Sequence, residues 1–451
     1  MSHIVDVIIE YRTPQFLIVK RIAVLNGQNT YNYGSFMMLI NFMHYLQKYR
    51  ENNSVEYLIH CNTPADYYRV CKALSDHAEK IHIKPLYVYC DARKKGLLSR
   101  AYNRYKKLYW AYKVWTYKPD IVVVLGGDDI SECYSKTNWI GKLITLTLLS
   151  LRARIFLVGQ TIGPFFSWRV WIARQTLRTC RICVRDPLSY AYCTEKLKLG
   201  DVTLSADLAL LNLPNQEKNR CVYKKFGLTK GNYVTVVLSG LVKHYARDME
   251  TYAESWATVI RQVAQRADFS NKKIVLLAHV LAPANNDDRR ALEAVYKKFP
   301  KQWAEENIVI ITCEMFPSEA RSILGNGYCT ISSRMHAGIS SLQMGIPAIF
   351  LSYSMKYKGV LSEGLGLDEL VIEAKNARLW NNADIASVLL QRIETTLRNP
   401  LLREQLPYKI GAAQKLALVQ IEEVARFLRQ ICNTMNNKAA PIAKEHIPAY
   451  Q

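Results

Sequence analysis

Five consecutive apolar residues, Ile121-Val-Val-Val-Leu125, run straight into Gly126-Gly-Asp-Asp129. A strand that never alternates has no face to offer water, so both of its faces must be covered. That selects a parallel sheet with helices on each side, in which successive strands need a crossover of a dozen or more residues. The rest of the chain supplies that alternation. Ile22-Ala-Val-Leu25, Leu58-Ile-His-Cys61, Ile81 to Tyr89, Ile155-Phe-Leu-Val158 and Ile182-Cys-Val-Arg185 read as further strands, with helical spacing over 36–49, 64–78 and 168–180. Val202 to Leu211 closes this half, and Asn212 to Asn219, a polar run around Pro214, reads as a linker. The alternation then restarts. Strands are expected at Tyr233–Leu238, Lys273–Val280, Ile308–Thr312, Tyr328–Ile331 and Pro347–Leu351, and helices over 252–267, 292–299, 318–324 and 340–344. At 451 residues the chain can hold two domains of about 200 residues with full cores. The expected division is 1–212 and 213–400, then a helical region over 401–435 interrupted near Pro407, then a disordered tail over 436–451.

Charge narrows the partners without choosing one. Sixty Lys plus Arg against 38 Asp plus Glu leave a net +22, and residues 93–185 carry eighteen basic residues and only four acids. Such a field attracts nucleic acid, anionic lipid or a polyanionic substrate. No zinc finger, RNP-like motif or helix-turn-helix pattern accompanies it, so nucleic acid is not an expected partner. Over 93–118, Leu98, Tyr102, Tyr105, Tyr109 and Tyr112 fall on one helical face, with Arg100, Arg104 and Lys107 on another. That pattern suits an anionic membrane surface, and equally a domain helix packing its tyrosines on the sheet. No apolar run approaches the ~20 residues of a membrane span. The N-terminus lacks a signal-peptide layout, and the cysteines read as reduced thiols, so a cytoplasmic location is expected, and one peripheral at the inner membrane face where the membrane reading of 93–118 holds. Cys180 and Cys183 form a CxxC with no second ligand pair, and read as packing thiols rather than a metal site.

Candidate site residues sit where strands end. Open parallel sheets bind ligands beyond the carboxyl ends of their strands, beside helix N-termini that favour anions. Arg334, His336 and Lys356 occupy two such ends: a guanidinium grips phosphate or carboxylate, a histidine moves a proton near neutral pH, and a lysine adds a point charge. Gly126 and Gly127 permit close backbone approach, while Asp128 and Asp129 accept hydrogen bonds from sugar hydroxyls; a Mg²⁺ site and simple turn chemistry are the competing readings. Asn32 and Gly34 lie in a polar loop feeding a helix, and Gln160 and Thr161 in a turn after a strand.

Ser333-Arg-Met-His336, Gly345-Ile-Pro347 and Tyr353-Ser-Met-Lys356 with Gly359, together with Gly159-Gln-Thr-Ile-Gly-Pro164, Arg185-Asp186 with Ser189, and Ser205-Ala-Asp207, resemble the motifs of the polysaccharide pyruvyl transferase family. The resemblance runs over roughly residues 20–375. Two departures stand out: Ser35 replaces an aspartate after Asn32-Tyr-Gly34, and Gly240-Leu-Val-Lys243-His244 stands where an arginine follows Ser239. The resemblance implies an α/β fold of two Rossmann-like domains facing a cleft, as in GT-B glycosyltransferases. It implies transfer of an enolpyruvyl-derived unit from phosphoenolpyruvate to a sugar, forming a pyruvate ketal, with no cofactor and no metal. In that reading His336 is the proton donor, with Arg334, Lys356 and Arg185 on the phosphate and carboxylate, and Ser333, Tyr353 and Ser340 around the donor. Asn32, Gly34, Gly126, Gly127, Asp128, Asp129, Gln160 and Thr161 would take the acceptor, a glycan either free or linked to polyprenyl diphosphate. A nucleotide-sugar glycosyltransferase and a non-catalytic basic protein on a membrane surface remain the alternatives.

Overall fold

The computed structural model describes residues 20–49, 54–75, 81–87, 109–132, 138–382 and 384–439. Two all-parallel sheets form. The first contains β1 (Lys20–Leu25), β2 (Val55–Cys61), β3 (His82–Tyr87), β4 (Ile121–Leu125), β5 (Arg154–Gln160), β6 (Cys180–Val184) and β7 (Val202–Leu204), in the order β3-β2-β1-β4-β5-β6-β7. The second contains β8 (Tyr233–Val237), β9 (Lys273–Leu277), β10 (Ile308–Ile311), β11 (Cys329–Ser332), β12 (Ala348–Ser352) and β13 (Val371–Glu373), in the order β10-β9-β8-β11-β12-β13. Each order reverses once, between β1 and β4 and between β8 and β11, which opens a crevice at the strand ends there.

The uninterrupted apolar strands are central and covered on both faces, as their composition requires. All five residues of β4 are buried, as are those of β8 and β12. One face of the first sheet packs residues 109–117 and the helices Asn138–Ser150 and Arg169–Leu177, through Val114, Leu143, Leu149 and Leu177. The other face belongs to a core continuous with the second domain, including Phe36, Met37, Ile339 and Leu342. Cys180 and Cys183 are buried, unpaired residues of β6, and burial pushes both thiols up to about 12. That fits packing thiols.

Three stretches differ from the sequence reading. Val202–Leu211 is a three-residue strand followed by a 3-10 turn at Leu208–Leu210, capped by Asp207 accepting from the Ala209 N–H. The helix expected from Ser340 begins at Met335. The last helix runs unbroken from Pro400 to Ala439, with Pro407 inside it. Pro407 is exposed, so the carbonyl its missing N–H leaves behind can turn to water. Residues 1–19, 93–108 and 440–451, which include Arg100, Arg104 and Lys107, lie outside the described residues. Among those described, no helix is long and apolar enough to cross a membrane.

The domains are held by polar groups as well as by their shared core. Asn29 donates to the Ala282 carbonyl (2.8 Å), Leu281 N–H to the Tyr31 carbonyl (2.9 Å), and Met315 N–H to the Tyr33 hydroxyl (2.8 Å). Arg69 donates to the Met315 carbonyl (2.6 Å) while its guanidinium lies over Tyr31, Phe36 and Phe316. Arg321 is fully buried and donates to the carbonyls of Ala209 (2.6 Å) and Leu211 (2.8 Å) and to Gln216 Oε1 (3.0 Å). No carboxylate joins these partners among the described residues, and burial lowers the guanidinium to about 9.

Candidate functional site

The two reversal points face each other across a cleft of about 700 Å³. From the first domain it takes the residues after β1 and β4 (Asn26, Asn29, Asn32, Gly126 to Ile130), with Arg185 after β6; from the second, residues after β8, β9, β11 and β12. Of the residues expected from sequence, Asn32, Gly126, Gly127, Asp128, Asp129, Arg185, Arg334, His336, Tyr353 and Lys356 line this space. Five others lie elsewhere.

Asp207 ties the two sides together. One of its oxygens, Oδ2, accepts from Arg185 Nη1 at 2.8 Å and lies 3.3 Å from His336 Nε2. Burial alone would raise this carboxyl, but His336 and Arg185 outweigh it and hold it well below the usual carboxylate range. An ionised carboxylate can only accept, so Nε2 carries the hydrogen toward Asp207, and Nδ1, beside Gly34, is the ring nitrogen not committed to it. Arg185 is fixed further by Thr161 Oγ1 (3.0 Å), whose own hydrogen goes to Asp186 (2.8 Å). Thr161 therefore sits behind the cleft wall and sets the guanidinium in place.

Gly34 acts through the side chain it lacks. A Cβ there would fall 2.2 Å from His336 Nδ1. Gly34→Ala is expected to push His336 off Asp207, lowering kcat by roughly tenfold or more and the melting temperature with it, because His336 Cβ (2.9 Å) as well as the ring lies too close for rotation alone to relieve. Steady-state rates and thermal melts on the one variant check this.

Arg334 is aimed by a residue that the sequence reading left without a role. Its Nε and Nη2 donate to Asp288 Oδ1 at 3.0 and 2.6 Å, and Nη2 also to the Asn286 carbonyl at 2.7 Å. Complete burial pushes the Asp288 carboxyl upward; Arg334 and the N–H groups of Gly240 (2.8 Å), His279 (3.1 Å) and Val280 (2.8 Å) act against it. Lys356 donates to the Tyr353 hydroxyl (3.0 Å) and reaches Asp128 Oδ2 at 3.4 Å, an ion pair between the domains. Asp129 pairs instead with Lys142 at 2.5 Å.

The remaining expected residues are structural neighbours of the cleft. Ser333 is fully buried; its carbonyl accepts from Tyr245 (3.0 Å) and Tyr357 (2.8 Å), and its hydroxyl is turned into the core beside Tyr252. Ser340 lies in the interdomain core, accepting from Arg321 at 3.4 Å. Gln160 is buried and donates to the Val124 carbonyl at 2.9 Å. His244, which stands where the family has an arginine nearby, does line the cleft, its ring tilted against that of Tyr353 with centroids 5.1 Å apart; Lys243 is exposed outside it. Trp110, Lys142, Thr145 and Gln28 line the first-domain side and carried no motif signal.

Residues 32–355 match the family model for polysaccharide pyruvyl transferase. The chain belongs to the polysaccharide pyruvyl transferase family. Its fold is GT-B-like, and it is similar to solved structures of UDP-GlcNAc 2-epimerases. That from Methanocaldococcus jannaschii, in complex with UDP-GlcNAc and UDP, is 14% identical with a TM-score of 0.58 over 91% of this chain and 99% of that one. A putative UDP-N-acetylglucosamine 2-epimerase from Listeria monocytogenes is 14% identical (TM-score 0.59; 95% and 99% covered), and one from Rickettsia bellii is 12% identical (TM-score 0.60; 94% and 99% covered). At these identities the likeness is one of fold. Within this pyruvyl transferase family member, the matched span contains Asp207, His336 and Arg334, and it stops one residue short of Lys356.

Two histidines of the cleft wall, His279 buried and His60 partly so, give the fold a pH dependence. Burial lowers His60 to about 4, and burial followed by the charges of His336, Arg334 and Arg321 lowers His279 well below its ordinary range. Both are neutral in the folded chain, whereas the unfolded chain takes up protons near pH 6.5. Their contribution is complete above that value and is lost as pH falls toward 4. Thermal melts are expected to be level above pH 7 and to drop steadily below about 6.5, with a shallower drop in His279→Gln.

Proposed function

We propose that this chain transfers the pyruvyl unit of phosphoenolpyruvate to two hydroxyls of one sugar, in a cell-surface polysaccharide or its lipid-linked precursor, forming a ketal. The observation that carries this reading is the shared Asp207 oxygen, which holds a proton-transfer group and a buried arginine at one point of a cationic cleft. Phosphoenolpyruvate presents a phosphate and a carboxylate, and Arg334, Lys356 and Arg185 offer three cations for them. His336 donates from Nδ1 to C3 of the enol, whose double-bond electrons form the new C–H bond and leave C2 electrophilic. A sugar hydroxyl adds at C2 and its proton returns to His336. Phosphate then departs with the C2–O electron pair, its charge steadied by the cations, and the second hydroxyl adds at C2 to close the ring, giving its proton to the departing phosphate. Asp128 and the polar loops after β1 and β4 take the sugar.

The test is phosphate release from phosphoenolpyruvate across a panel of free and polyprenyl-diphosphate-linked glycans, with donor binding followed by calorimetry. Release that requires a glycan supports the proposal. Binding of UDP-sugars in place of phosphoenolpyruvate would replace it with nucleotide-sugar chemistry; the epimerase of the same fold is seen with UDP-GlcNAc and UDP. Arg334→Lys is expected to weaken donor binding by roughly tenfold or more, since an ammonium cannot hold Asp288 and a ligand in one plane. Titration of phosphoenolpyruvate into the variant checks it.

A further inference from the structure

Residues 109–117 and the helices Asn138–Ser150 and Arg169–Leu177 place Val114, Leu143 and Leu177 in one core layer, so they lie side by side on one face of the first sheet. Thr147 donates to Thr176 at 3.4 Å between the second and third. Their outer faces ought to be polar. Instead, these helices and the turns that flank them supply nine of the fifteen large apolar side chains that stand exposed among the described residues. Ile144, Leu148 and Leu151 recur at helical spacing along the outside of one helix, the last 73% exposed; Phe166, Trp168 (61%) and Trp171 (64%) crown the next. A patch of this kind marks an interaction surface.

Charge selects the occupant. No Asp or Glu occurs between Glu132 and Asp186, and Lys113, Arg152, Arg174 and Arg178 are exposed among the apolar groups. The two acids at the edge of the layer are already taken, Glu132 by Arg169 and Asp129 by Lys142. A second copy would bring two cationic faces together, which repel. Tryptophan and tyrosine set among cations, with no carboxylate, match the headgroup region of an anionic bilayer. The layer also adjoins the cleft: Trp110, Lys142 and Thr145 line its first-domain side.

We propose that this three-helix face docks the protein on anionic phospholipid, with the mouth of the cleft beside the membrane surface. The inference does not depend on which group the cleft transfers. The full chain is expected to sediment with vesicles of phosphatidylcholine mixed with phosphatidylglycerol, not with phosphatidylcholine alone, and to be released by salt. Trp168→Ser with Trp171→Ser, and separately Arg174→Gln with Arg178→Gln, should each weaken binding by roughly tenfold or more. Both pairs are exposed, so melting temperatures should match the parent. Tyr408→Ser, which removes a 78% exposed aromatic from the C-terminal helix, should leave binding unchanged. The proposal is overturned by equal binding to neutral and anionic vesicles, by no binding, or by parental binding in either double variant. Parental self-association in sedimentation velocity that the tryptophan variant loses would equally overturn it, assigning the face to a second copy.

Discussion

His336→Ala is expected to slow single-turnover phosphate release by roughly 10²–10⁴-fold, the range for loss of a positioned proton donor. Donor affinity should largely survive, because Arg334 keeps Asp288 and Lys356 keeps Tyr353 without the imidazole. Asp207→Asn separates the proton from its placement. An amide is almost the same size, yet it can present its N–H₂ to His336 Nε2 and so favour the wrong tautomer. The expected result is a reduced rate with a displaced pH profile, whereas a merely structural Asp207 would lower stability and leave the profile in place. Near-parental turnover by His336→Ala would remove it as the acid and turn attention to His244, a partly exposed cleft histidine stationed beside Tyr353.

Asp288→Ala should be the most destabilising single change near the cleft, at ~3–5 kcal/mol by urea denaturation. The carboxylate serves four donors in complete burial: Arg334 and the N–H groups of Gly240, His279 and Val280. Its removal leaves a buried cation and three buried amides without their acceptor. Asp287→Ala is the control. That neighbour caps a helix and pairs with Arg289, which is 39% exposed, so a loss of about 1 kcal/mol is expected. Donor affinity should fall with Asp288→Ala and hold with Asp287→Ala. Equal urea midpoints for the two variants would show that Arg334 does not rely on Asp288.

The parts of the site that could be read from sequence are those fixed by position along a strand. Arg334 and Lys356 follow apolar runs that had to be parallel strands, so their arrival at one crevice followed from topology. Partners far apart in the chain were not readable. Asp288 stands 46 positions from Arg334, and only the loop after β9 brings them together. Asp207 belonged to a recognisable motif, yet nothing local says that its carboxylate reaches His336 across the domain boundary.

Adjacency in sequence misplaced others. Ser333 neighbours Arg334, but successive residues of an extended segment point oppositely, and its hydroxyl is carried into the core. Ser340 lies one turn after His336 on the same helical face; over that turn the face passes from the cleft into the interface with Met37. The helix start was hidden by Gly338, a poor helix former whose missing side chain lets the buried Phe350 ring pack against it.

The last helix bears on how such a chain is made. Gln420 donates to the Ala206 carbonyl (2.8 Å), Phe427 meets Phe156 of β5, and Glu423 pairs with Arg181 of β6. Ile421, Val424 and Leu428 complete one wall of the first domain's core. The first domain is thus finished by a segment that is made only after the whole second domain. During synthesis the first sheet must wait, with Val24, Phe156 and Val158 uncovered on that side, while the entire second domain is added. Ribosome-bound chains ending before residue 400 should therefore show protease-sensitive first domains and a demand for chaperones that ends only when this helix emerges.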